Sequence, residues 1–365
     1  MSVSLCIVCP SLTGKCLLSI YIKVKLRLLY RFRSGSARRS VGLWKASFLS
    51  HKSGSGDYNG IPFVFLGPEY FHDLFLYYGY GFGRSKRRRF AYSVKEFYLI
   101  GRSMMIQVPK DKMHCIAPLF SASDHTLIRS CLEGCMGDAW ADCLEAPTAA
   151  KICTTDFCFL SGNPDSPVAE KLAAILPDGY SHPWCYIIPL QTIWEPVIEH
   201  VHTGKQFPVQ RYSLCKEATA FHLDTLQRLA VPPQERYRIL PFDLPTYVMS
   251  QKEEWSSHLC AWFPTYSAFQ EHGIGIAAYD GAQLVCGATS HSYYKGGIEV
   301  EIDTKPSYRR KGLATACAAT LILECIRRGL YPSWDAANRE SLSLAQKLGY
   351  HFHREYKAYR VSTSV

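Results

Sequence analysis

The sequence predicts an α/β protein, because helix-like and strand-like patterns alternate along the chain from about Met105 onward. The clearest strand is Gly297–Thr304, in which Ile298, Val300 and Ile302 alternate with acidic residues. A basic segment with a glycine follows this strand, and a long helix pattern follows that segment. An apolar fraction of 47% with 20% charged residues is typical of a globular protein rather than a disordered one.

Length and cysteine usage limit the class of protein. The 365 residues are enough for two ordinary domains. The 15 cysteines are an odd number without regular spacing, which argues against a disulfide framework and favours a reducing, cytoplasmic setting. Cys6 and Cys9 have the spacing of a redox motif, but no helix pattern and no second pair follows them.

The net charge of +10 is concentrated at the start of the chain. Up to Ser103 there are 17 Lys and Arg against 4 Asp and Glu, which leaves 24 against 27 in the rest. Nucleic acid is therefore not expected as a partner, since only residues 1–103 could bind it, where the aromatic run Tyr77–Phe82 precedes Arg87–Arg89. The alternative is that this segment is an upstream-extended start, with Met104 or Met105 beginning the domains. The apolar stretch Leu17–Leu29 is too short and too basic for a membrane helix.

Changes in pattern predict three parts, which are a basic extension at 1–103, an α/β domain at 104–233 and a second domain at 234–365. In the first domain we predict helices at Asp124–Cys131, Pro167–Leu176 and Lys216–Leu229, and strands at Ile152–Leu160 and Trp184–Pro189. The boundary follows the prolines Pro232-Pro233.

In the second domain, turn residues and helix caps mark the boundaries of the elements more clearly. Its predicted elements before Gly297 are a strand at Arg236–Leu240, two short helices within Leu244–Phe269, and a hairpin of Gly273–Tyr279 and Gln283–Ser290. The dipeptide Asp280-Gly281 suits the tight turn of that hairpin. Near the end we predict a strand at Tyr331–Asp335 and then a helix that begins at Asn338 and ends at Gly349.

The segment between Thr304 and the helix that ends at Arg328 predicts an anion site. Free N–H groups of the first helical turn point at a phosphate, and Gly312 allows close approach of the backbone. The alternative is a basic surface turn in front of an ordinary helix.

The hexapeptide from Arg309 through Gly312 to Ala314 has the form R-x-x-G-x-A, which resembles the pyrophosphate loop of the GNAT superfamily. More narrowly, Gly296–Tyr359 resembles the bacterial "GNAT acetyltransferase" family that includes zwittermicin A resistance proteins. The segments that carry this resemblance are Glu299–Thr304, Tyr331–Asp335 and Lys347–Tyr350. Weaker similarity reaches back to about Met105, and residues 1–103 have no counterpart.

The resemblance implies a C-terminal GNAT fold, with a mixed, mostly antiparallel central sheet flanked by helices, preceded by a smaller α/β domain. It implies an N-acetyltransferase that moves an acetyl group from acetyl-CoA to a primary amine of a small molecule by direct attack in a ternary complex. No membrane partner is expected.

The same resemblance implies which residues hold acetyl-CoA. The expected pyrophosphate contacts are Arg309, Arg310, Lys311, Gly312, Leu313, Ala314 and Thr315. The edge of Ile302, Asp303 and Thr304 is expected to pair with the pantetheine arm. Asn338 is expected near the pantetheine or the thiol, and it is also a good helix N-cap.

The acidic strand face supplies the candidates for the general base. Glu301 is the first candidate and Glu299 the second, because crowding with Asp303 on one strand face raises the pKa of at least one carboxylate. A merely solvated face, or a surface that attracts a cationic amine, is the alternative.

One position departs from the superfamily. Many members have a tyrosine in the last helix as acid toward the CoA sulfur, and Ala345 stands at that place here. Either the thiolate leaves with the help of water, or another group such as Tyr350 protonates it. A non-catalytic acyl-CoA-binding or regulatory module is the alternative function.

The paired histidines predict no metal site. His200 and His202, like His351 and His353, have compatible spacing but no identifiable third ligand.

Overall fold

The computed structural model describes residues 105–177 and 183–363. Before residue 105 it gives only strand backbones, which form three antiparallel pairs: Ser2–Cys9 with Leu18–Lys25, Leu43–Trp44 with Phe63–Val64, and Phe75–Tyr77 with Ala91–Ser93. The side chains on which the nucleic-acid prediction rests lie outside the described residues. Element labels below count from Ile106.

The larger sheet has eight strands. They are β1 (Ile106–Gln107), β2 (Asp138–Ala141), β3 (Ala149–Thr154), β4 (Phe157–Gly162), β5 (Trp184–Pro189), β6 (Gln206–Leu214), β12 (Asp335–Ala336) and β13 (Phe352–Ser362). Their order across the sheet is β12-β6-β13-β5-β4-β3-β2-β1, and all neighbours are antiparallel except β4 and β5.

The smaller sheet has five strands in chain order, β7 (Tyr237–Pro241), β8 (Gly275–Asp280), β9 (Gln283–Tyr294), β10 (Gly297–Thr304) and β11 (Tyr331–Ser333). Its neighbours are antiparallel except β10 and β11. A mixed, mostly antiparallel sheet flanked by helices confirms the predicted fold class.

Nine α-helices lie among the described residues. They are α1 (Ala117–Phe120), α2 (Thr126–Leu132), α3 (Ala169–Ala174), α4 (Glu195–Val201), α5 (Leu223–Leu229), α6 (Leu244–Ser250), α7 (Tyr266–His272), α8 (Leu313–Arg327) and α9 (Arg339–Lys347). Short 3₁₀ helices occupy Lys110–Cys115, Thr192–Trp194, Ala218–Ala220, Glu254–Cys260 and Pro306–Tyr308.

Side-chain caps explain where three of these helices begin. Asp243 accepts from the Thr246 N–H at 2.9 Å, and Thr265 accepts from the Ala268 N–H at 3.1 Å. Asn338 accepts from the N–H of Ser341 at 2.8 Å, which confirms its predicted role as N-cap.

Helix α8 covers one face of the smaller sheet. Its residues Leu313, Cys317 and Leu321 are buried in a core shared with strand residues Ile298 and Val300. The alternation predicted for β10 is therefore confirmed, because the apolar side chains of that strand face α8 and leave its acidic side chains on the opposite face.

The strand β13 lies in the middle of the larger sheet, between β6 and β5. Residues 100–365 form one compact unit by their contacts, and residues 1–99 form another. The boundary proposed at 233 and 234 stays a prediction, and any division there leaves β13 in the sheet of the first half.

Three predicted elements were wrong in detail. The strand predicted at Tyr331–Asp335 is two strands in different sheets, because β11 pairs with β10 and β12 pairs with β6. The segment Ile152–Leu160 is not one strand, because the chain reverses at Thr155, which has a φ of 58°, and forms the β3–β4 hairpin. Lys216–Leu229 is not one helix but a 3₁₀ turn followed by α5, which begins only at Leu223. By contrast, Trp184–Pro189 and Gly297–Thr304 have the predicted bounds.

Candidate active site

The loop before α8 has the backbone geometry of an anion cradle. Arg310 and Gly312 both have left-handed φ angles, of 62° and 83°. Such a conformation turns successive N–H groups toward one concave surface, and it is uncommon for a residue other than glycine. The first intrahelical bond runs from the N–H of Ala316 to the carbonyl of Gly312 at 3.1 Å, so the N–H groups of Leu313–Thr315 have no intrahelical acceptor.

A cavity of about 770 Å³ opens in front of this loop. Of the residues predicted to hold acetyl-CoA, it is lined by Ile302, Asp303, Thr304, Arg309, Arg310, Gly312, Leu313, Ala314, Thr315 and Asn338. Lys311 is the exception, because its ammonium lies over the ring of Tyr308 at 4.5 Å. The Nε of Arg309 donates to the carbonyl of Thr304 at 3.2 Å, which ties the loop to the end of β10.

The cavity continues into a cleft between two strands that part from each other. Strands β10 and β11 pair only over Gly297–Glu299 and Tyr331–Ser333. The chain then leaves the smaller sheet, and Asp335–Ala336 pairs with β6 of the larger one. Among the described residues, the edge of Val300–Thr304 on this side therefore has no strand partner, as expected for a surface that accepts an extended ligand.

A second cavity of about 350 Å³ lies at the inner end of the cleft. The residues that line both cavities are Ile302, Asp303, Trp334, Asn338 and Ser341. A ligand arm that runs along β10 from the loop therefore reaches this second cavity, which we call the inner cavity.

The acidic face of β10 lines the inner cavity. Glu299 is buried, whereas Glu301 and Asp303 are partly exposed. Burial raises the pKa of Glu299 to about 7. Burial, followed by the neighbouring charge of Glu301, raises the pKa of Asp303 to about 8. The strand thus holds two carboxyl groups that bind protons far more readily than ordinary ones.

His291 joins Glu301 to the larger sheet. Its Nδ1 lies 3.1 Å from Glu301 Oε2, and its Nε2 lies 3.1 Å from Asp156 Oδ1 and 2.9 Å from Thr155 Oγ1. Burial opposes a charged imidazole, but the hydrogen bonds and charges of Asp156 and Glu301 outweigh it and raise the pKa of His291 to about 10. A cation between two carboxylates holds Glu301 in a fixed position in the cavity.

Glu299 lies deeper, against α2. Its Oε2 accepts a hydrogen bond from the hydroxyl of Thr126, whereas its Oε1 is buried and has no hydrogen-bond partner among the described residues. His125 lines the same cavity as Glu299, and both of its ring nitrogens are likewise buried and unpartnered in the described part of the chain. Burial lowers the pKa of His125 to about 4, so the imidazole is neutral.

Arg211 forms the opposite wall. Its guanidinium pairs with Asp335 at 2.7 Å and lies over the rings of Phe157 and Tyr186, at 4.8 and 5.1 Å. Asp335 also accepts from the hydroxyl of Tyr356 at 2.8 Å. The one arginine that lines this cavity among the described residues is thus held by a carboxylate and by aromatic faces.

Tyr350 is not available as an acid at the thioester. Its side chain is 2% exposed and packs in the core beneath α8, where its hydroxyl donates to the carbonyl of Pro332 at 2.5 Å. Ala345 is fully buried in the same core. The suggestion that Tyr350 protonates the CoA sulfur was therefore wrong.

Sequence reasoning missed Asp156, His291, His125 and Arg211. Each reaches the inner cavity only through the packing of one sheet against the other, and none lies in a local motif. One signal was present for His291, since β9 contains a bulge between Ser290 and Ser292, and a bulge re-aims the side chain it contains. A bulge, however, has no reliable signature in a single sequence.

The paired histidines have separate partners. Nε2 of His202 lies 3.0 Å from the carbonyl of Ala173, and Nδ1 of His351 lies 2.6 Å from Glu217. Within residues 105–177 and 183–363, no group of three or more His, Cys, Asp or Glu side chains has the arrangement of a metal site. No helix in the same ranges is both long enough and apolar enough to cross a bilayer.

The mixed sheet, the separation of β10 from β11 and the glycine loop before α8 are the features of the GNAT fold. They define the protein as an acyltransferase of this fold. The sequence pattern of the family described as GNAT acetyltransferase matches residues 117–359, and the chain belongs to this family.

Two relatives agree with this assignment. The chain is 30% identical over 178 residues to the uncharacterized N-acetyltransferase YdfB of Bacillus subtilis strain 168, across 44% of this chain and 68% of that protein. The crystal structure of a GCN5-related N-acetyltransferase-like protein from Streptococcus suis 89/1591 superposes with a TM-score of 0.63 at 36% identity. That match covers 69% of this chain and 98% of the other.

Proposed function

We propose that this acyltransferase moves the acetyl group of acetyl-CoA to a primary amine of a small molecule, by direct attack in a ternary complex. The observation that carries the proposal is the meeting of the two cavities at Ile302, Asp303 and Trp334. An acyl group held from the loop cavity would lie at the mouth of the inner cavity, beside the carboxylates of β10. A cleft with a volume of about 350 Å³ suits a small molecule.

The loop cavity fits a CoA pyrophosphate. The backbone of the left-handed residues Arg310 and Gly312 and the free N–H groups of the first turn of α8 supply donors for an anion. A Cβ built on Gly312 would lie 3.4 Å from Cβ of Pro233, so a longer side chain has little room on that side. Bound acetyl-CoA would supply the thioester whose C–S bond breaks as the C–N bond forms.

Glu301 is the proposed base. It takes the proton of the amine directly or through a water molecule, and His291 holds the carboxylate in place. His291 is already protonated on both ring nitrogens and donates to Glu301, so the added proton stays on the Glu301 carboxyl group. Glu299 lies deeper and is the second candidate.

Asp303 is the proposed acid. It lines both cavities, and its pKa of about 8, caused by burial and by the charge of Glu301, keeps it protonated at neutral pH. The carboxyl group therefore has a proton to donate to the departing sulfur, which leaves as the thiol. The proton taken up by Glu301 then passes through water to Asp303. Both carboxyl groups thereby return to their starting protonation states.

Three finer points belong to the same proposal. The resemblance around Glu299–Thr304 suggests the subgroup of zwittermicin A resistance proteins. A cytoplasmic setting fits the cysteines of the described residues, all of which are free thiols. Asn338 lines both cavities as well as capping α9, which supports a role beside the pantetheine.

The release of free thiol from acetyl-CoA tests the activity. We expect the purified full chain to release thiol when small primary amines are added and to release little without them, with one acetylated amine formed per thiol by mass spectrometry. The rival function is a non-catalytic acyl-CoA-binding module. Ala345 favours this rival, because alanine has no hydroxyl group at the position where many members of the superfamily have the acid. Tight CoA binding without thiol release from any amine would establish that rival.

A further inference from the structure

We propose that the inner cavity has a second cation subsite at Glu299 and His125, so that the acceptor is a diamine rather than a monoamine. The inference deepens the proposed function and depends on it only for the position of the first nitrogen, beside Glu301. The subsite itself is defined by side chains other than the proposed base Glu301 and the proposed acid Asp303.

The first observation is the state of Glu299. The residue is 6% exposed, lines the inner cavity, and has one oxygen, Oε1, that is buried without a hydrogen-bond partner among the described residues. Its other oxygen accepts from Thr126. A buried carboxylate with an unused oxygen costs several kcal/mol unless a donor or a cation meets it.

The cations nearest to Glu299 are already paired elsewhere. Lys216, whose charge acts on Glu299, forms its ion pair with Asp124 at 2.9 Å. His291, whose charge also acts on Glu299, is paired with Glu301 and Asp156. Asp335 adds negative charge near Glu299 and is itself paired with Arg211 at 2.7 Å. A cationic ligand is therefore the partner that would meet the ionised form of Glu299.

The second observation is independent of the first and concerns His125. Both ring nitrogens are buried and unpartnered in the described part of the chain, and the ring lines the same cavity. The ring packs against Phe159 with centroids 4.6 Å apart, which fixes its position. A neutral imidazole offers one acceptor nitrogen, which suits a second N–H of the same ammonium group.

Strand geometry sets the distance between the two nitrogens. Glu299 and Glu301 are alternate residues of β10 on one face, which places their carboxylates roughly 7 Å apart. A diamine in which four or five carbon atoms separate the nitrogens spans this distance when extended. The subsite therefore selects diamines of the size of 1,4-diaminobutane and 1,5-diaminopentane.

Calorimetry on the full chain without acetyl-CoA tests the subsite by binding alone. The probes are 1-aminobutane, 4-amino-1-butanol and 1,4-diaminobutane, at about pH 8, above the pKa of Glu299 and below that of the alkyl ammonium groups. We expect the diamine to bind at least about tenfold more tightly than either of the other two. The amino alcohol distinguishes a charge from a mere hydrogen-bond donor.

Two variants test the named residues. Glu299→Gln keeps the shape and the contact to Thr126, and His125→Phe keeps an aromatic ring against Phe159. Each is expected to reduce the advantage of the diamine to less than about twofold while 1-aminobutane binds as before. Glu145→Gln, at an exposed site, is the matched control and should behave as wild type.

Equal affinity for diamine and monoamine, tightest binding of the amino alcohol, undetectable binding of the diamine, or an advantage that survives in folded Glu299→Gln would each overturn the subsite. These outcomes are measured by binding, whereas failure of the proposed function is measured separately, as the absence of thiol release from acetyl-CoA. A diamine that binds through Glu299 and is never acetylated would support the subsite and refute the acetyl transfer.

Discussion

Replacing Glu299 by glutamine removes a carboxyl group that folding buries against Thr126. Burial raises the pKa of this group from the ordinary value of 4.5 to about 7. Below about pH 4.5 the carboxyl is protonated in both folded and unfolded chains, so its ionisation does not reduce the free energy of unfolding. As the pH rises toward 7, the unfolded chain ionises first and stability falls. At about 1.36 kcal/mol per pKa unit, the loss is roughly 3 kcal/mol, most of it between pH 5 and pH 8.

Urea unfolding of the wild type and of Glu299→Gln, at several pH values in this range, measures that loss. Asp303 and His291, whose pKa values are also raised, contribute to both proteins, so the difference between the two isolates Glu299. We expect the difference in free energy of unfolding, variant minus wild type, to increase by about 3 kcal/mol between the lowest and the highest pH. A difference that stays constant with pH, or falls as pH rises, would refute the argument that Glu299 is buried as an uncompensated carboxylate.

Three further predictions concern the reaction. Gly312→Asp should abolish CoA binding in calorimetry because it adds bulk and negative charge at the cradle, whereas Gly281→Asp, at a remote turn that also has a positive φ, should bind CoA normally. Glu301→Gln should lower kcat by about two to four orders of magnitude at unchanged CoA affinity, and full activity at neutral pH would exclude Glu301 as the base. Asp303→Asn should lower kcat and remove the fall in activity above about pH 8, where wild-type Asp303 loses its proton; an unchanged descending limb would assign the acid to another group.

Local patterns were sufficient for the parts of the site that lie on one element. The alternation in Gly297–Thr304 correctly separated the acidic face from the core face, because a strand has a period of two whatever packs on it. Asn338 was correctly predicted as a helix cap, because a cap depends on its next three residues.

The contacts between the sheets could not be predicted in this way. His291 meets Asp156 across 135 positions of sequence, and the encounter requires both a bulge in β9 and a hairpin that turns at Thr155. Tyr350 was wrongly considered for the thioester because proximity in sequence to α9 does not tell which way a side chain points. Its burial depends on the core beneath α8.

The central position of β13 has a consequence for how the chain folds. Only Phe352–Ser362 joins β6 to β5, so the larger sheet has two separate, unpaired edges until this strand arrives. Its partners begin more than 140 residues earlier in the chain, which gives the sheet a high contact order and slows its closure. During synthesis, the edge strands β6 and β5 therefore have unpaired backbone groups until β13 is made. Unpaired edges of this kind can pair with other chains.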